Sequence, residues 1–419
     1  MKNVKDRTKS GSLGVGGYIL LASLSALSPL TAVFILPGLP GMVGDLDTTL
    51  SAAQLALSVG FAGLAVGLLV VGPLSDRFGR RWPVVIGLVC YIGTTLMCAV
   101  APDISLLIAF RLAQGIAGGA VWVITRAVIR DVYAGRASAR AFSQMAMITG
   151  LAPVVAPFIA GQLLLFVDWR GLFIVLAAVG GVVLVLALLF MFETLAPERR
   201  QSEGVRGQVR ATLSVLRARH FLSYLSLAII QSIMYFTFVI MSPFVFTGDF
   251  GMSEQGFGLF YGGAALAMAL GNQTNVLLLR RWNPEGALLL LLTLALAGSA
   301  AFLVASMLHA PLPVVIGAIL LVSFAAGASN ANITALTLAP YAHAAGTAAA
   351  VLGASQFGVA ALVPPLVSLL GVDGVTMGIT LVVTALGAWV IGILLRPRRS
   401  IAVAAAASES DTHSVAKVD

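Results

Sequence analysis

Apolar residues along this chain come in long unbroken runs. They do not alternate as in a half-buried strand, nor form the single stripe of a surface helix. Twelve runs are visible, over 17–42, 52–74, 82–101, 104–129, 139–166, 171–192, 221–246, 256–279, 286–308, 312–335, 343–369 and 374–395. Each matches a membrane span, which needs about 20 apolar residues. Charge, proline or glycine marks the breaks, as at Asp45-Leu46-Asp47, Asp76 to Arg81, Asp131 to Arg140 and Asp168-Trp169-Arg170. Only the break at 193–220 exceeds ~20 residues, and none can hold a soluble domain. The pattern predicts an all-α membrane protein with twelve transmembrane helices in two six-helix halves. The expected parts are an N-terminal half over 1–192, a cytoplasmic linker over 193–220, a C-terminal half over 221–396 and a disordered tail over 397–419. The halves would be related by an axis along the membrane normal.

Composition narrows the class. Of 419 residues, 59% are hydrophobic and 10% charged. A soluble enzyme of this make-up would expose apolar surface almost everywhere, and a disordered chain would be polar and charge-rich. The net charge of +8 does not point to nucleic acid, because the basic residues are scattered through short loops. All but Arg111 and Arg170 of the 25 Lys and Arg fall on one side if the N-terminus is cytoplasmic. That bias places both termini inside, with an even number of spans. The basic start followed by a long apolar run reads as an uncleaved first span. Cys90 and Cys98 share one run and are expected as small buried hydrophobes.

The richest motif is Gly72-Pro73-Leu74-Ser75-Asp76-Arg77-Phe78-Gly79-Arg80-Arg81, between spans 2 and 3. Gly72 and Gly79 permit a tight turn, and Arg77, Arg80 and Arg81 hold the loop at an anionic face. Asp76 at the membrane edge needs a partner, either a helix N-terminus or an arginine. Arg126, Arg130 and Asp131 end span 4 on the same side. With Asp76 and Arg77 they would form an ionic latch, and the start of span 11 near His343 to Gly346 would offer its dipole to Asp76.

This segment resembles the loop 2–3 signature of the major facilitator superfamily. Arg111-Leu112-Ala113-Gln114-Gly115 resembles the span-4 motif of that superfamily. Leu151-Ala152-Pro153-Val154-Val155-Ala156-Pro157, ending in Ala160-Gly161, resembles the span-5 motif of its drug exporters. Trp169-Arg170 and Glu193-Thr194-Leu195 also fit. Together they are similar to the twelve-span drug:proton antiporters of the bicyclomycin/chloramphenicol-resistance type. The resemblance implies alternating-access efflux of small amphipathic molecules, a proton as coupling ion, and a bacterial inner membrane. A metabolite transporter of the same fold without a drug role is the alternative.

Further residues are candidates for the site. Arg111 is charged deep in a span, which is costly and by default functional. It either lines a polar cavity or is a structural arginine bonded to backbone carbonyls, and Gln114 shares its face. Pro153 and Pro157 remove two donors from span 5, and Ala152, Ala156 and Ala160 make a small stripe for close helix approach. The resemblance puts this helix at the interface of the halves. Gln231 and Tyr235 on span 7, Asn272 and Asn275 on span 8, Asn330 and Asn332 on span 10, and Gln356 on span 11 are polar groups inside apolar runs. With Phe34, Trp122 and Phe357 they would line a cavity of apolar walls and few polar anchors. The alternative for each is hydrogen bonding between helices.

One feature departs from the resembled exporters. They commonly carry an acid on span 1 where this chain has Val33, and no Asp or Glu lies mid-span. Permanently cationic dyes are therefore expected to be poor substrates. Proton coupling is expected through Asp76, Asp131 or the substrate itself. Enzyme chemistry is not expected: His220, His309, His343 and His413 lack metal-ligand spacing, and no nucleophile elbow or phosphate-binding loop occurs. No cofactor and no metal is expected. The partners are a small-molecule substrate and the lipid bilayer, and the chain is expected to be a monomer.

Overall fold

Each of the twelve apolar runs forms a helix in the computed structural model, which describes residues 15–133, 135–195 and 213–395. In order these are α1 (Val15–Asp45), α2 (Leu50–Phe78), α3 (Arg81–Ala99), α4 (Ile104–Val132), α5 (Gly135–Leu163) and α6 (Trp169–Phe190). The second set is α7 (Arg219–Phe244), α8 (Glu254–Leu278), α9 (Pro284–Met307), α10 (Leu312–Leu338), α11 (Ala345–Ser368) and α12 (Gly374–Leu394). No strand occurs among the described residues. Most of the linker and all of the tail beyond Leu395 lie outside them.

The ends of the helices follow from local chemistry. Asp168 and Asp373 cap α6 and α12 through the amides of Gly171 and Thr376. Thr49 and Ser253 do the same for α2 and α8. α1 is broken by a 3₁₀ turn over Leu36–Gly38, where Pro37 and Pro40 withhold backbone donors. α7 loosens after Pro243 into a π-helical turn over Val245–Asp249. α2 and α4 each run for 29 residues, about 44 Å at the α-helical rise. That overshoots a hydrocarbon core of about 30 Å, so their last turns carry Asp76, Arg130 and Asp131 out to the membrane edge.

Packing repeats with an offset of six helices. α1 packs on α4, α5 and α6, and α7 on α10, α11 and α12. α4 lies against α2 and α3, as α10 lies against α8 and α9. The halves meet through α2–α11 and α5–α8, pairs that the same offset exchanges. Glycines allow the tightest crossings. A Cβ on Gly63 or Gly115 would strike the backbone of α4 or α2, and one on Gly271 or Gly327 that of α10 or α8. Nine helices are long and apolar enough, over their described residues, to cross a membrane. The other three, α5, α8 and α11, pack between the halves.

The core is not shared evenly. One buried cluster runs through both halves at the end away from Gly79, joining Phe34, Leu39 and Trp169 to Met241, Phe246 and Phe257. At the end holding the α2–α3 turn the cores are separate. Leu24, Leu88 and Val128 belong to one half, and Phe221, Leu288 and Ile333 to the other. The halves are therefore joined at one end and parted at the other, which we call the basic end. Cys98 is buried, but Cys90 is exposed. That corrects the expectation for Cys90, which sits on the outward face of α3.

Candidate functional site

A cavity of about 300 Å³ lies between the halves, walled by α1, α2, α4, α5, α7, α8, α10 and α11. Six of the nine residues expected at a substrate site line it: Trp122, Gln231, Tyr235, Asn330, Gln356 and Phe357. Phe61, Ser232, Phe236 and Thr149 join them. Phe61 and Phe236 had no signal in the sequence, because an aromatic in an apolar run looks the same on a lipid face as on a cavity face.

The walls are aromatic and continuous. Trp122 stands edge-on to Phe357 at 5.8 Å between ring centroids. Phe357 stacks on Phe61 at 6.1 Å, and Phe61 meets Phe236 at 4.8 Å. These rings come from both halves and close the cavity toward the shared core. Toward the basic end Asn330 is exposed, so the cavity is open there.

The anchors are uncharged. Gln231 donates to the carbonyl of Ala326 at 3.0 Å and to the Ser329 hydroxyl. Its own oxygen is buried and has no partner among the described residues. Tyr235 adds a hydroxyl at the cavity wall. No charged residue is among those lining the cavity.

Three expected substrate residues lie elsewhere. Phe34 is 3% exposed in the shared core, because the turn at Ile35 aims it into protein. Arg111 and Gln114 border a separate recess of about 20 Å³ behind Ser28 and Ala32. Arg111 donates to the Gln114 side chain at 2.5 Å and, weakly, to the carbonyl of Ala56 at 3.4 Å. Gln114 passes the chain on to Thr95 at 2.7 Å, and Tyr91 bonds Thr31 beside it. The guanidinium is used inside the first half, which matches the structural alternative. In the second half, Asn275 and Asn332 pair reciprocally at 3.0 and 2.8 Å and tie α8 to α10. Asn272 is exposed.

At the basic end the hub is Arg80, only 2% exposed. It pairs with Asp76 at 2.6 Å and Asp131 at 2.9 Å, and donates to the Ser75 hydroxyl at 2.7 Å. Glu193, just past α6, accepts from the amides of Arg80 at 2.8 Å and Arg81 at 3.4 Å. It thereby caps the start of α3. Gly79 has φ 93°, and a Cβ there would strike the Glu193 carboxylate. Gly72 lends its carbonyl to Ser75 at 2.8 Å.

The expected latch is corrected in its members. Asp76 and Asp131 belong to it, but their partner is Arg80. Arg77 and Arg130 are exposed, and Arg77 lies 5.5 Å from the Phe78 ring. Arg126 lies 4.4 Å over Trp122. Every described member comes from the first half, since Arg80 sits one turn past Asp76 and reaches it across the bend. α11 begins at Ala345, and the ion pair described for Asp76 is with Arg80.

Pro157 lies at the α5–α8 crossing, where a Cβ on Gly258 would come within 2.6 Å of its carbonyl oxygen. Ala156 and Ala160 are buried there. Pro153 lies within the same unbroken helix, and its side chain is outside the described residues. The opposite end mirrors itself between halves. Asp45 holds Arg170 and Trp169 at the start of α6, each at 3.1 Å. Asp249, in the same place after α7, accepts from the amide of Gly374 at 2.7 Å.

Comparison with known proteins agrees with this geometry. The sequence matches the family described as Major Facilitator Superfamily over residues 21–364. It is 33% identical over 373 residues to an uncharacterized MFS-type transporter, YdgK, of Bacillus subtilis, covering 87% of this chain and 92% of that one. It is 29% identical over 391 residues to the multidrug resistance protein MdtL of Salmonella heidelberg, covering 91% and 95%. The crystal structure of a D-xylose–proton symporter superposes with TM-score 0.72 at 16% identity, covering 90% of this chain and 98% of that one. A partially occluded inward-open form of the xylose transporter XylE from E. coli gives 0.69 at 13%, covering 91% and 97%. These two show the fold. A multi-pass, non-enzymatic membrane transporter of small molecules, the chain belongs to the major facilitator superfamily.

Proposed function

We propose that the protein is a secondary exporter of small amphipathic molecules in a bacterial inner membrane, with both termini cytoplasmic. The observation that carries this is the cavity between the halves: aromatic walls, amide and hydroxyl anchors, one closed end and one open end. Its volume falls at the small end of the range for ligand sites. The likeness to a multidrug resistance protein over nearly the whole chain supports efflux as its use. The basic end is read as cytoplasmic from the distribution of Lys and Arg, so the structure is the inward-facing member of an alternating-access pair.

Proton coupling is read onto Asp76 and Asp131, or onto the substrate. Both acids are held by Arg80. Because one arginine holds both acids, any change at either of them is tied to a rearrangement at this end. Uptake into inverted vesicles, with and without a proton gradient, tests the reading. Small aromatic compounds without a permanent positive charge should accumulate only with the gradient, and Asp76→Asn should lower the rate at least several-fold at normal expression. Strong proton-driven export of ethidium would overturn the assignment of an uncharged site.

A further inference from the structure

We propose that Arg126 binds the anionic group of the transported molecule, so that the substrate class is a compact aromatic compound bearing a carboxylate or similar acid. This rests on the exporter reading of the same cavity. Arg126 lies on α4 one turn beyond Trp122, with its guanidinium 4.4 Å from the indole centroid. Trp122 is a wall of the cavity. The Arg126 side chain is exposed, toward the basic end where the cavity is open.

No carboxylate among the described residues pairs with it. The two acids of α2 and α4 at this end are both taken by Arg80. Arg111, the other arginine within α4's apolar stretch, is 3% exposed and bonded to Gln114. Arg126 lies in the last turns of the α4 apolar run, beside the cavity wall, and the described acids at this end do not pair with it. The Trp122 indole holds the guanidinium beside the cavity wall by a cation–π contact. From there the rings of Trp122, Phe357 and Phe61 continue into the cavity. A flat ring lying on that wall would place an attached carboxylate at the guanidinium, where a bidentate pair forms. A cation in the same place would meet like charge and no counter-ion.

The test uses one ring with three charges: 2-naphthoate, 2-naphthamide and (2-naphthyl)trimethylammonium. Each is titrated calorimetrically into the detergent-purified full chain. Naphthoate should bind about tenfold more tightly than naphthamide, as for a charge-assisted hydrogen bond, and the ammonium compound most weakly. Arg126→Gln should bring the naphthoate-to-naphthamide affinity ratio close to one, and Arg126→Lys should keep part of it. A wild-type ratio near one, a ratio unchanged in Arg126→Gln, or tightest binding of the ammonium compound would each overturn the proposal. The wild-type comparison decides the matter even if neither variant folds. Failure of the exporter reading looks different: the ratio holds, yet none of the three compounds is moved by reconstituted protein under a proton gradient.

Discussion

At the scale of single residues, Gly79 shows how a motif read from sequence acquires a cause. Its φ of 93° favours glycine, and the space a Cβ would take is filled by the Glu193 carboxylate. Gly79→Ala should cost about 1–3 kcal/mol in backbone strain and more through loss of the cap. Thermal unfolding of Gly79→Ala, Glu193→Ala and the double variant checks this. The double variant should cost less than the sum, and strict additivity would sever the glycine from the acid. The glycine and the acid were both legible in the sequence. Their contact was not, since more than a hundred residues separate them.

Between elements, polar pairs hold the helices in register. Asn275 and Asn332 satisfy each other across α8 and α10. Asn275→Leu alone strands a buried amide and should cost about 1–3 kcal/mol, whereas Asn275→Leu with Asn332→Leu should be nearly neutral. Denaturation in detergent distinguishes the two, and equal losses would mean that packing rather than the amide pair matters. The sequence marked both asparagines as polar groups in apolar runs. It could not separate Asn330, which faces the cavity, from Asn332, which faces a helix. Two residues on a helix turn the side chain by about 200°, and only the neighbours say which direction is wet.

For the whole molecule, the polar groups without partners point to where it opens. Both side-chain polar atoms of Gln54 and the Ser58 hydroxyl are buried and unpaired among the described residues. They lie four apart on α2, on its stretch toward the closed end. Each unpaired group costs about 1–3 kcal/mol in this state, and water would satisfy it once that end opens. Gln54→Leu with Ser58→Ala should therefore favour the state open at the basic end and slow turnover. In a background with Cys90→Ser and Cys98→Ser, an impermeant maleimide should reach Asn330→Cys from the basic side. Ser58→Cys should become reactive only during turnover, and from the other side. Equal, substrate-independent labelling of Ser58→Cys would show that the end is not closed.

Twelve helices, their ends to within about four residues, the family and the lack of a mid-span acid were all decided by the sequence itself. Long apolar runs in a bilayer have one solution, because every backbone group must find its partner within the segment. Caps and prolines act locally enough to be read there as well. What only the tertiary structure decided is which face of each helix meets the cavity, which a protein neighbour and which lipid. Arg80 rather than Arg77, Arg126 or Arg130 holds the acids, and Arg126 lies over Trp122 instead. Phe34 and Phe61 are indistinguishable by type and differ only in where their helices turn them. In a chain where nearly every position is apolar, hydrophobic periodicity carries little orientation. Direction comes from the packing of helices remote in sequence.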